Sequence, residues 1–279
     1  MTYLNTDTRV SIVKKNMFWL FFIFALVNIN SVVCDCPPSK AYIQNLLDKA
    51  HIPGVSVVVT KPNEIIYQQQ VGYQSPPVSD QRLPMNVSTS VFMLASISKT
   101  FVVVAAMQLV EANRLNLDTD INEYLSPRMK INHPFFPQTP ITTRHLLTHR
   151  SGIALNLVEQ DKFYLRGDTF LQKDLGALIE NYVKFNESWL PYPPGNITFY
   201  SNVGASLAAY IVERLAGVSF EEYLHENILK VLNIDRTKAS YRLSDFQNEK
   251  SNLLDHYLYN ASWLQSLQQE LPQLNITRV

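Results

Sequence analysis

Residues 95–110 read ASISKTFVVVAAMQLV, which predicts a helix that begins near a serine and continues as a long apolar segment. Ser96 and Lys99 are three residues apart, and this spacing places both side chains on one face of a helix. A neighbouring amine can then activate the hydroxyl group as a nucleophile. The aligned peptide dipoles at a helix N-terminus also favour negative charge there. The stretch is therefore a candidate for a catalytic serine and its base.

The apolar run 101–110 is expected to form a helix that is buried on nearly all sides, through the centre of a domain. A serine and a lysine at this spacing also occur by chance, as a capping serine with a solvated lysine. The catalytic interpretation therefore depends on the rest of the chain.

Composition limits the classes of protein and partner. A length of 279 residues suits one large domain or two interleaved ones. The 24 basic and 24 acidic side chains balance, and no basic run is longer than Lys14-Lys15. Nucleic-acid binding needs a concentrated positive surface, so we expect no nucleic-acid partner.

The N-terminal region has the pattern of a targeting segment. Residues 1–16 are polar and end in Lys14-Lys15, and residues 17–34 contain an apolar run followed by a polar end. The run is short for a membrane span, which favours a cleaved secretory signal, with an uncleaved anchor as the alternative. The domain proper is then 37–279, secreted or extracellular, with membrane contact only through such an anchor.

Glycosylation sequons agree with a secreted protein and give it mild support. They begin at Asn86, Asn186, Asn196, Asn260 and Asn275.

The first part of the predicted domain contains a helix and two strands. A helical pattern covers 41–50, and β-branched and aromatic residues predict strands at 55–60 and 65–71. Residues 61–64 between them are typical of a hairpin turn. The sequence therefore predicts an antiparallel pair of strands here.

The rest of the chain is predicted to be mostly helical. The predicted helices are 119–125 capped by Asp118, 144–149 capped by Thr142 or Thr143, 170–184, 203–215 ending at Gly217, and a helix to 229 with Ser219 and Glu222 as a capping box. This order predicts an α/β (α+β) fold, in which an antiparallel sheet of terminal strands surrounds an inserted, mostly helical region.

A sheet needs more than the two predicted strands to be stable. After Gly217 the chain has no glycine and no clear strand pattern. We therefore expect the late strands to be missing from this chain, or to come from another chain.

Four stretches of sequence occur in a fixed order. They are IPGVSVVV at 52–59, LASISKTF at 94–101, LLTHRSGI at 146–153, and Pro194-Gly195 followed by Tyr200-Ser201-Asn202. In this order they resemble the serine beta-lactamase and penicillin-binding-protein superfamily, in its branch of class C beta-lactamases, D-alanyl-D-alanine carboxypeptidases and esterases. The resemblance runs from about residue 52 to about residue 234, and it implies a beta-lactamase/transpeptidase-like fold.

The resemblance also implies roles for four residues. Ser96 would be the acylated nucleophile, with Lys99 as its hydrogen-bonded partner. Tyr200 would relay the proton, because a nearby ammonium group makes its phenolate accessible. Asn202 would bind the carbonyl group of the substrate and help to orient Lys99, and the backbone N–H of Ser96 would supply half of an oxyanion hole.

The sequence departs from the family at the third motif. The family has a Lys-x-Gly or His-x-Gly on a late strand, which supplies the second oxyanion donor, and none follows Asn202 here. Loss of one such donor costs about 2.7 to 4 kcal/mol of transition-state stabilisation. The chain therefore has two of the three family motifs.

Two other candidate sites are weaker. His145 and His149 have the spacing of a two-histidine zinc site, but Leu146 stands where the metalloprotease glutamate would be, so packed or capping histidines are favoured. Ser206 lies in a glycine- and alanine-rich stretch similar to a nucleophile elbow, but no strand leads into it, so core packing is the better explanation.

The sequence thus supports two functional hypotheses. The first is a serine hydrolase that needs no metal and no organic cofactor and acts on a small-molecule or peptide amide or ester through Ser96. The second is a catalytically inactive beta-lactamase-like scaffold or fragment with a binding or assembly role.

Overall fold

The computed structural model describes residues 37–75, 82–163, 167–172, 174–246 and 252–254. The predicted targeting region at 1–34 and the sequons at Asn260 and Asn275 lie outside the described residues. The domain boundaries remain predictions.

The first described elements are a helix and a hairpin, as the sequence predicts. Helix α1 (Lys40–Ala50) begins after Ser39, whose hydroxyl group caps it. Strands β1 (Gly54–Lys61) and β2 (Glu64–Gly72) pair antiparallel, from Gly54 opposite Gly72 to Lys61 opposite Glu64. Asn63 in the turn has a φ of 62°, a conformation that asparagine adopts more readily than most residues.

The elements that follow the hairpin in the described residues are all helical. They are α2 (Lys99–Glu111), α3 (Thr143–Leu147), α4 (Leu157–Asp161), α5 (Leu175–Val183), α6 (Asn202–Ala216) and α7 (Phe220–Leu224). Short 3-10 helices lie at Ala95–Ser98, Ile121–Glu123, Gly167–Gln172, Asn186–Ser188 and Leu243–Phe246, and a π-helical turn lies at His225–Leu229.

Several capping predictions are confirmed. Thr142 caps α3 by accepting a hydrogen bond from the His145 N–H, and the His145 ring accepts one from the Thr142 N–H. Helix α6 ends at Gly217, whose φ of 77° would strain any residue with a Cβ atom.

The prediction for Asp118 is wrong. The cap of the short helix at 121–123 is Asp120, which accepts from the Asn122 N–H. Asp118 instead forms an ion pair with Arg144, at 2.6 Å. Asp118 and Asp120 both precede the same helical turn, so local sequence does not distinguish them. Arg144 lies close to Asp118 in the folded chain, and Asp118 therefore forms the ion pair.

Two helix boundaries also differ from the prediction. The segment 170–184 is divided between a 3-10 helix and α5, because the carboxylate of Asp174 caps a new helix start. After Ser219, α7 passes into the π-helical turn, and only the serine half of the capping box forms. The Glu222 carboxylate pairs with Arg236 instead.

The core is organised around α6 rather than α2. Leu207, Ile211 and Val212 of α6 are completely buried, and α2, α3, α5 and α7 pack around this helix. The expectation that α2 is buried on nearly all sides is therefore wrong. The Val104 residue is 44% exposed, because the described helices cover only the opposite side of α2.

The described residues form one sheet of two strands, β1 and β2. The helices together with this small antiparallel sheet confirm the predicted mixed α/β class, with a mostly helical region following the hairpin. Within the described ranges, no single helix is long and apolar enough to cross a membrane. A bent pair, α6 followed by residues Phe220–Leu229, passes that test together, on length and composition alone.

The two sides of α2 give a direct test of this packing. Leu109 is 2% exposed and Val104 is 44% exposed. We expect Leu109→Ala to lower the free energy of unfolding by about 2 to 5 kcal/mol, because it leaves a cavity in the core. Val104→Ala on the open side should change it by less than about 1 kcal/mol.

Urea denaturation followed by circular dichroism measures both values. Equal losses for the two variants would mean that both sides of α2 are buried, in contradiction to this structure.

Candidate active site

Ser96 lies in a 3-10 turn that leads directly into α2. The turn spans Ala95–Ser98, and the first residue of the α-helix is Lys99. Ala95 has a φ of 45°, a conformation that costs energy for any residue other than glycine. Strained backbone of this kind is concentrated at functional sites, where the surrounding fold holds it in place. Here the strained residue directly precedes the predicted nucleophile.

Lys99 and Ser96 lie on the same face, as their spacing predicts. The Lys99 Nζ donates a hydrogen bond to the Ser96 Oγ at 3.2 Å. Ser96 is exposed and Lys99 is half-buried. The hydroxyl group is therefore open to a substrate from solvent, while the ammonium group is held beside it.

Tyr200 reaches the same hydroxyl group from 104 residues away in the chain. Its phenol OH donates a hydrogen bond to the Ser96 Oγ at 2.6 Å. The Lys99 Nζ also lies 4.8 Å from the centre of the Tyr200 ring. The structure thus brings together Ser96, Lys99 and Tyr200, three of the four predicted site residues.

Main-chain hydrogen bonds hold the segment that ends in Tyr200. The N–H groups of Leu190, Gly195 and Phe199 donate to the carbonyl groups of Gly152, Arg150 and His149, at 2.8, 2.7 and 2.7 Å. The segment 190–199 therefore lies alongside 149–152. Gly195 is needed in it, because a Cβ atom there would come within 2.9 Å of the His145 ring.

The electrostatic surroundings favour the phenolate form of Tyr200. Burial raises the pKa of Tyr200, but its interactions with Lys99 and Ser96 outweigh that effect. The net result is a pKa below the ordinary tyrosine value of 10.0. A lowered pKa makes Tyr200 a better proton acceptor near neutral pH.

Asn202, the fourth predicted residue, lies next to the other three without a direct bond to them. It is the first residue of α6 and is exposed. Among the described residues, no hydrogen bond joins its side chain to Lys99. Both residues line a cavity of about 730 Å³ that extends toward Glu213 and Phe220. The substrate-binding role of Asn202 remains a prediction.

A second cavity shares Asn202 with the first and is also lined by Tyr200. It has a volume of about 270 Å³ and is lined by Leu155, Phe199 and Tyr182 together with Tyr200 and Asn202. Its walls are largely aromatic and aliphatic, so it offers space for an apolar group beside Tyr200.

His149 is also part of this site, although the sequence indicates it only as a member of the LLTHRSGI motif and of a weak two-histidine zinc pattern. Its ring lies 4.5 Å from the Tyr200 ring, between centroids, and its Nδ1 accepts a hydrogen bond from the Ser201 N–H at 3.3 Å. Burial, and then the charge of Lys99, lower the pKa of His149. Its position directly before Arg150-Ser151-Gly152 was the only available signal.

Of the weaker candidate residues, His145 and Ser206 both lie in helices. His145 caps α3, so the packed or capping interpretation of that residue is confirmed. Ser206 lies within α6, where no strand precedes it. In the described part of the chain, Glu222, His225 and Glu226 have ligand atoms within 4.8 Å of one another. Both carboxylates are already paired, Glu222 with Arg236 and Glu226 with Lys230.

The sequence profile of the beta-lactamase family matches residues 40–251, which is most of the chain. The chain therefore belongs to the beta-lactamase family, and the resemblance to serine beta-lactamases and penicillin-binding proteins is confirmed.

Individual relatives agree with this assignment. The chain is similar to Protein flp of Staphylococcus aureus strain MRSA252, with 27% identity over 70% of this chain and 36% of that protein. It is also similar to Penicillin-binding protein 4* of Bacillus subtilis strain 168, with 26% identity over 79% of this chain and 45% of that protein. The chain thus spans less than half the length of these relatives.

A solved structure shows the same fold. The octameric penicillin-binding protein homologue from Pyrococcus abyssi has a TM-score of 0.64 and 26% identity to this chain. The match covers 80% of this chain and 48% of that chain. The described helices and hairpin therefore have the arrangement of a penicillin-binding protein homologue.

The contact between Lys99 and Tyr200 can be tested in the resting protein. We expect Lys99→Met to raise the pKa of Tyr200, because the burial that raises this pKa stays while the interaction that lowers it is lost. Tyrosinate absorbance during a pH titration reports the change, after subtraction of the Tyr200→Phe titration.

Lys61→Met is the control, since Lys61 lies on β1 and pairs with Glu64 at the surface. If Lys99→Met left the Tyr200 titration unchanged, Lys99 would not interact with the phenol.

Proposed function

We propose that this protein is a serine hydrolase that cleaves an amide or ester through an acyl-enzyme on Ser96. One observation supports this proposal above all others. The Ser96 Oγ accepts hydrogen bonds from the Tyr200 phenol at 2.6 Å and from the Lys99 ammonium group at 3.2 Å. A hydroxyl group that is exposed to solvent and contacted by two titratable groups has the arrangement of an activated nucleophile.

Acylation would begin with proton transfer to Tyr200. Tyr200 in its phenolate form takes the hydroxyl proton of Ser96, and the Ser96 Oγ forms a bond to the carbonyl carbon of the substrate. The carbonyl oxygen becomes negatively charged in the tetrahedral intermediate. The backbone N–H of Ser96, at the start of the turn into α2, is one donor for that oxygen.

Collapse of the intermediate would then break the bond to the leaving group. The leaving nitrogen or oxygen takes the proton from the Tyr200 hydroxyl group, and Ser96 retains the acyl group. In the second half of the reaction a water molecule gives a proton to Tyr200 and its oxygen bonds to the acyl carbon. The Ser96 Oγ then leaves, recovers the proton, and a carboxylic acid is released.

The surroundings of Ser96 support a substrate of moderate size. The hydroxyl group is open to solvent, and a cavity lies on each side of Asn202. One relative carries the name penicillin-binding protein. We propose a small-molecule or peptide substrate, with its carbonyl group at Ser96 and an apolar group in the cavity beside Leu155 and Phe199.

A second candidate function is a binding scaffold without turnover. The sequence given carries two of the three family motifs, and the Ser96 backbone N–H is the one oxyanion donor that those two motifs identify. In that case the site would hold a ligand at Ser96 without completing hydrolysis.

We also propose that the protein is secreted. The predicted signal segment supports this location, and the described sequon residues Asn86, Asn186 and Asn196 are exposed. Protein recovered from the medium of eukaryotic cells should lose mass on treatment with an N-glycosidase, and retention inside the cell without glycan would contradict the proposal.

Covalent labelling tests the hydrolase. Intact-mass analysis after exposure to a fluorophosphonate and to a reactive beta-lactam should show a single adduct on the wild type and none on Ser96→Ala. Tyr200→Phe should lower the labelling rate by about 10² to 10⁴, the range for loss of a general base.

Ser98→Ala is the matched control, because Ser98 lies in the same turn without contacting the Ser96 Oγ, and it should be labelled like the wild type. Labelling of Ser96→Ala equal to the wild type would contradict the proposal. A folded wild type that forms no adduct would favour the scaffold.

A further inference from the structure

His149 contacts the Tyr200 segment in three ways. Its carbonyl oxygen accepts the N–H of Phe199 at 2.7 Å, and its Nδ1 accepts the N–H of Ser201 at 3.3 Å. These are the two residues on either side of Tyr200 in the chain. The imidazole ring itself lies 4.5 Å from the phenol ring, with the planes tilted by 43°. His149 thus bonds to the residues before and after Tyr200 and also contacts the Tyr200 ring.

The backbone of His149 is suited to this arrangement. Its φ of 58° is left-handed, two residues after the end of α3 and before the buried Ser151 and Gly152. Such a conformation costs about 1 to 2 kcal/mol in a residue with a Cβ atom. The surrounding contacts must hold it in place, and this turn directs the His149 side chain to the site rather than to solvent.

The hydrogen bond from the Ser201 N–H to His149 Nδ1 requires Nδ1 to be unprotonated. Because Nδ1 accepts from Ser201, the neutral ring must carry its proton on Nε2. Protonation of Nδ1 would place two donors against each other and break this bond. The charged group that faces the ring is Lys99 of α2, and the titratable group from the 197–201 segment is Tyr200.

We propose that His149 is a positioning residue, whose neutral imidazole holds Tyr200 against Ser96 and whose protonation releases it. This inference rests on the proposed hydrolase function, because the position of Tyr200 matters only if Tyr200 moves a proton. The site would then lose activity in acid through His149, in addition to any change on Tyr200 itself.

The pH range follows from the surroundings of the ring. Burial and the positive charge of Lys99 both disfavour the imidazolium form, so the pKa of His149 lies below its ordinary value of 6.5. The neutral, holding form is therefore fully present above pH 6.5, and it is lost as the pH falls through the lowered pKa. The step in activity should appear on the acid side of neutrality.

Two substitutions separate the hydrogen bond from the charge. His149→Ala removes the acceptor and should lower the rate of fluorophosphonate labelling at pH 7.5 by roughly tenfold to a hundredfold, as expected for a displaced catalytic group. His149→Asn places an amide oxygen near the position of Nδ1, tolerates the left-handed backbone and does not titrate. It should recover most of the rate and lack the wild-type loss below pH 6.5.

His145 supplies matched controls. Its Nδ1 also accepts a backbone N–H at 3.3 Å, from Thr142, and burial also lowers its pKa, but it does not contact Tyr200. His145→Ala and His145→Asn should keep the wild-type pH profile of labelling. If His149 had only a structural role, its substitution would lower the amount of folded protein, and the loss of labelling below pH 6.5 would remain.

A second measurement does not depend on activity. Hydrogen exchange at pH 7.5 should show that the Ser201 amide loses protection in His149→Ala and keeps it in His149→Asn. If wild-type protein forms no adduct at any pH, the hydrolase proposal fails, and this exchange result decides the contact between His149 and the segment on its own.

Equal Ser201 protection in His149→Ala and wild type would overturn the inference whatever the labelling shows. So would an acid step that persists unchanged in His149→Asn. If His149→Ala does not fold, the labelling rates of wild type and His149→Asn across the pH range still test the inference. It predicts a loss below pH 6.5 in the wild type alone.

Discussion

The hydrogen bond between the Tyr200 phenol and the Ser96 hydroxyl group sets the geometry on which the rest of the structure depends. To form it, the turn before α2 and the segment before α6 must come together so that the Tyr200 phenol oxygen lies 2.6 Å from the Ser96 Oγ, although 104 residues separate the two in the chain. The two helices begin at the site and pack against each other behind it, with Leu207 and Ile211 of α6 completely buried. The core therefore fixes the distance between two helix N-termini, and the candidate residues Ser96, Lys99 and Tyr200 lie where those N-termini meet.

The pKa of Tyr200 reflects a balance between burial, which raises it, and the interactions with Lys99 and Ser96, which lower it. A phenol at a half-open site resists ionisation because burial disfavours its charged form, and Lys99 together with the Ser96 hydrogen bond outweighs that effect. This compensation requires the phenol oxygen to stay close to both groups. The main-chain hydrogen bonds between 149–152 and 190–199, and the contacts of His149, provide that restraint. The contacts that position the Tyr200 phenol therefore also keep its pKa low.

Local patterns predicted local structure well and tertiary contacts poorly. The hairpin, the first helix, the Thr142 cap and the Gly217 helix end were all predictable, because period, turn residues and caps act over a few positions. The sequence predicts a cap at Asp118, but Asp120 makes that cap and Asp118 pairs with Arg144. This pairing is not predictable from local pattern, because Arg144 is close to Asp118 only in the folded chain. The apolar composition of α2 predicted burial on all sides, whereas the described neighbours cover one side of it.

The sequence by itself determined the family, the mixed α/β class and the identity of the four candidate residues, because motif order and residue type are properties of the chain. It also placed Lys99 beside Ser96, since helical spacing alone brings residues three apart together. Only the tertiary structure decided that Tyr200 reaches the same oxygen, that Asn202 stands beside the pair without bonding to Lys99, and that the ring of His149 faces Tyr200. Those distances come from the packing of α2 and α6 and from the hydrogen bonds between two distant segments, and no pattern along the chain records them.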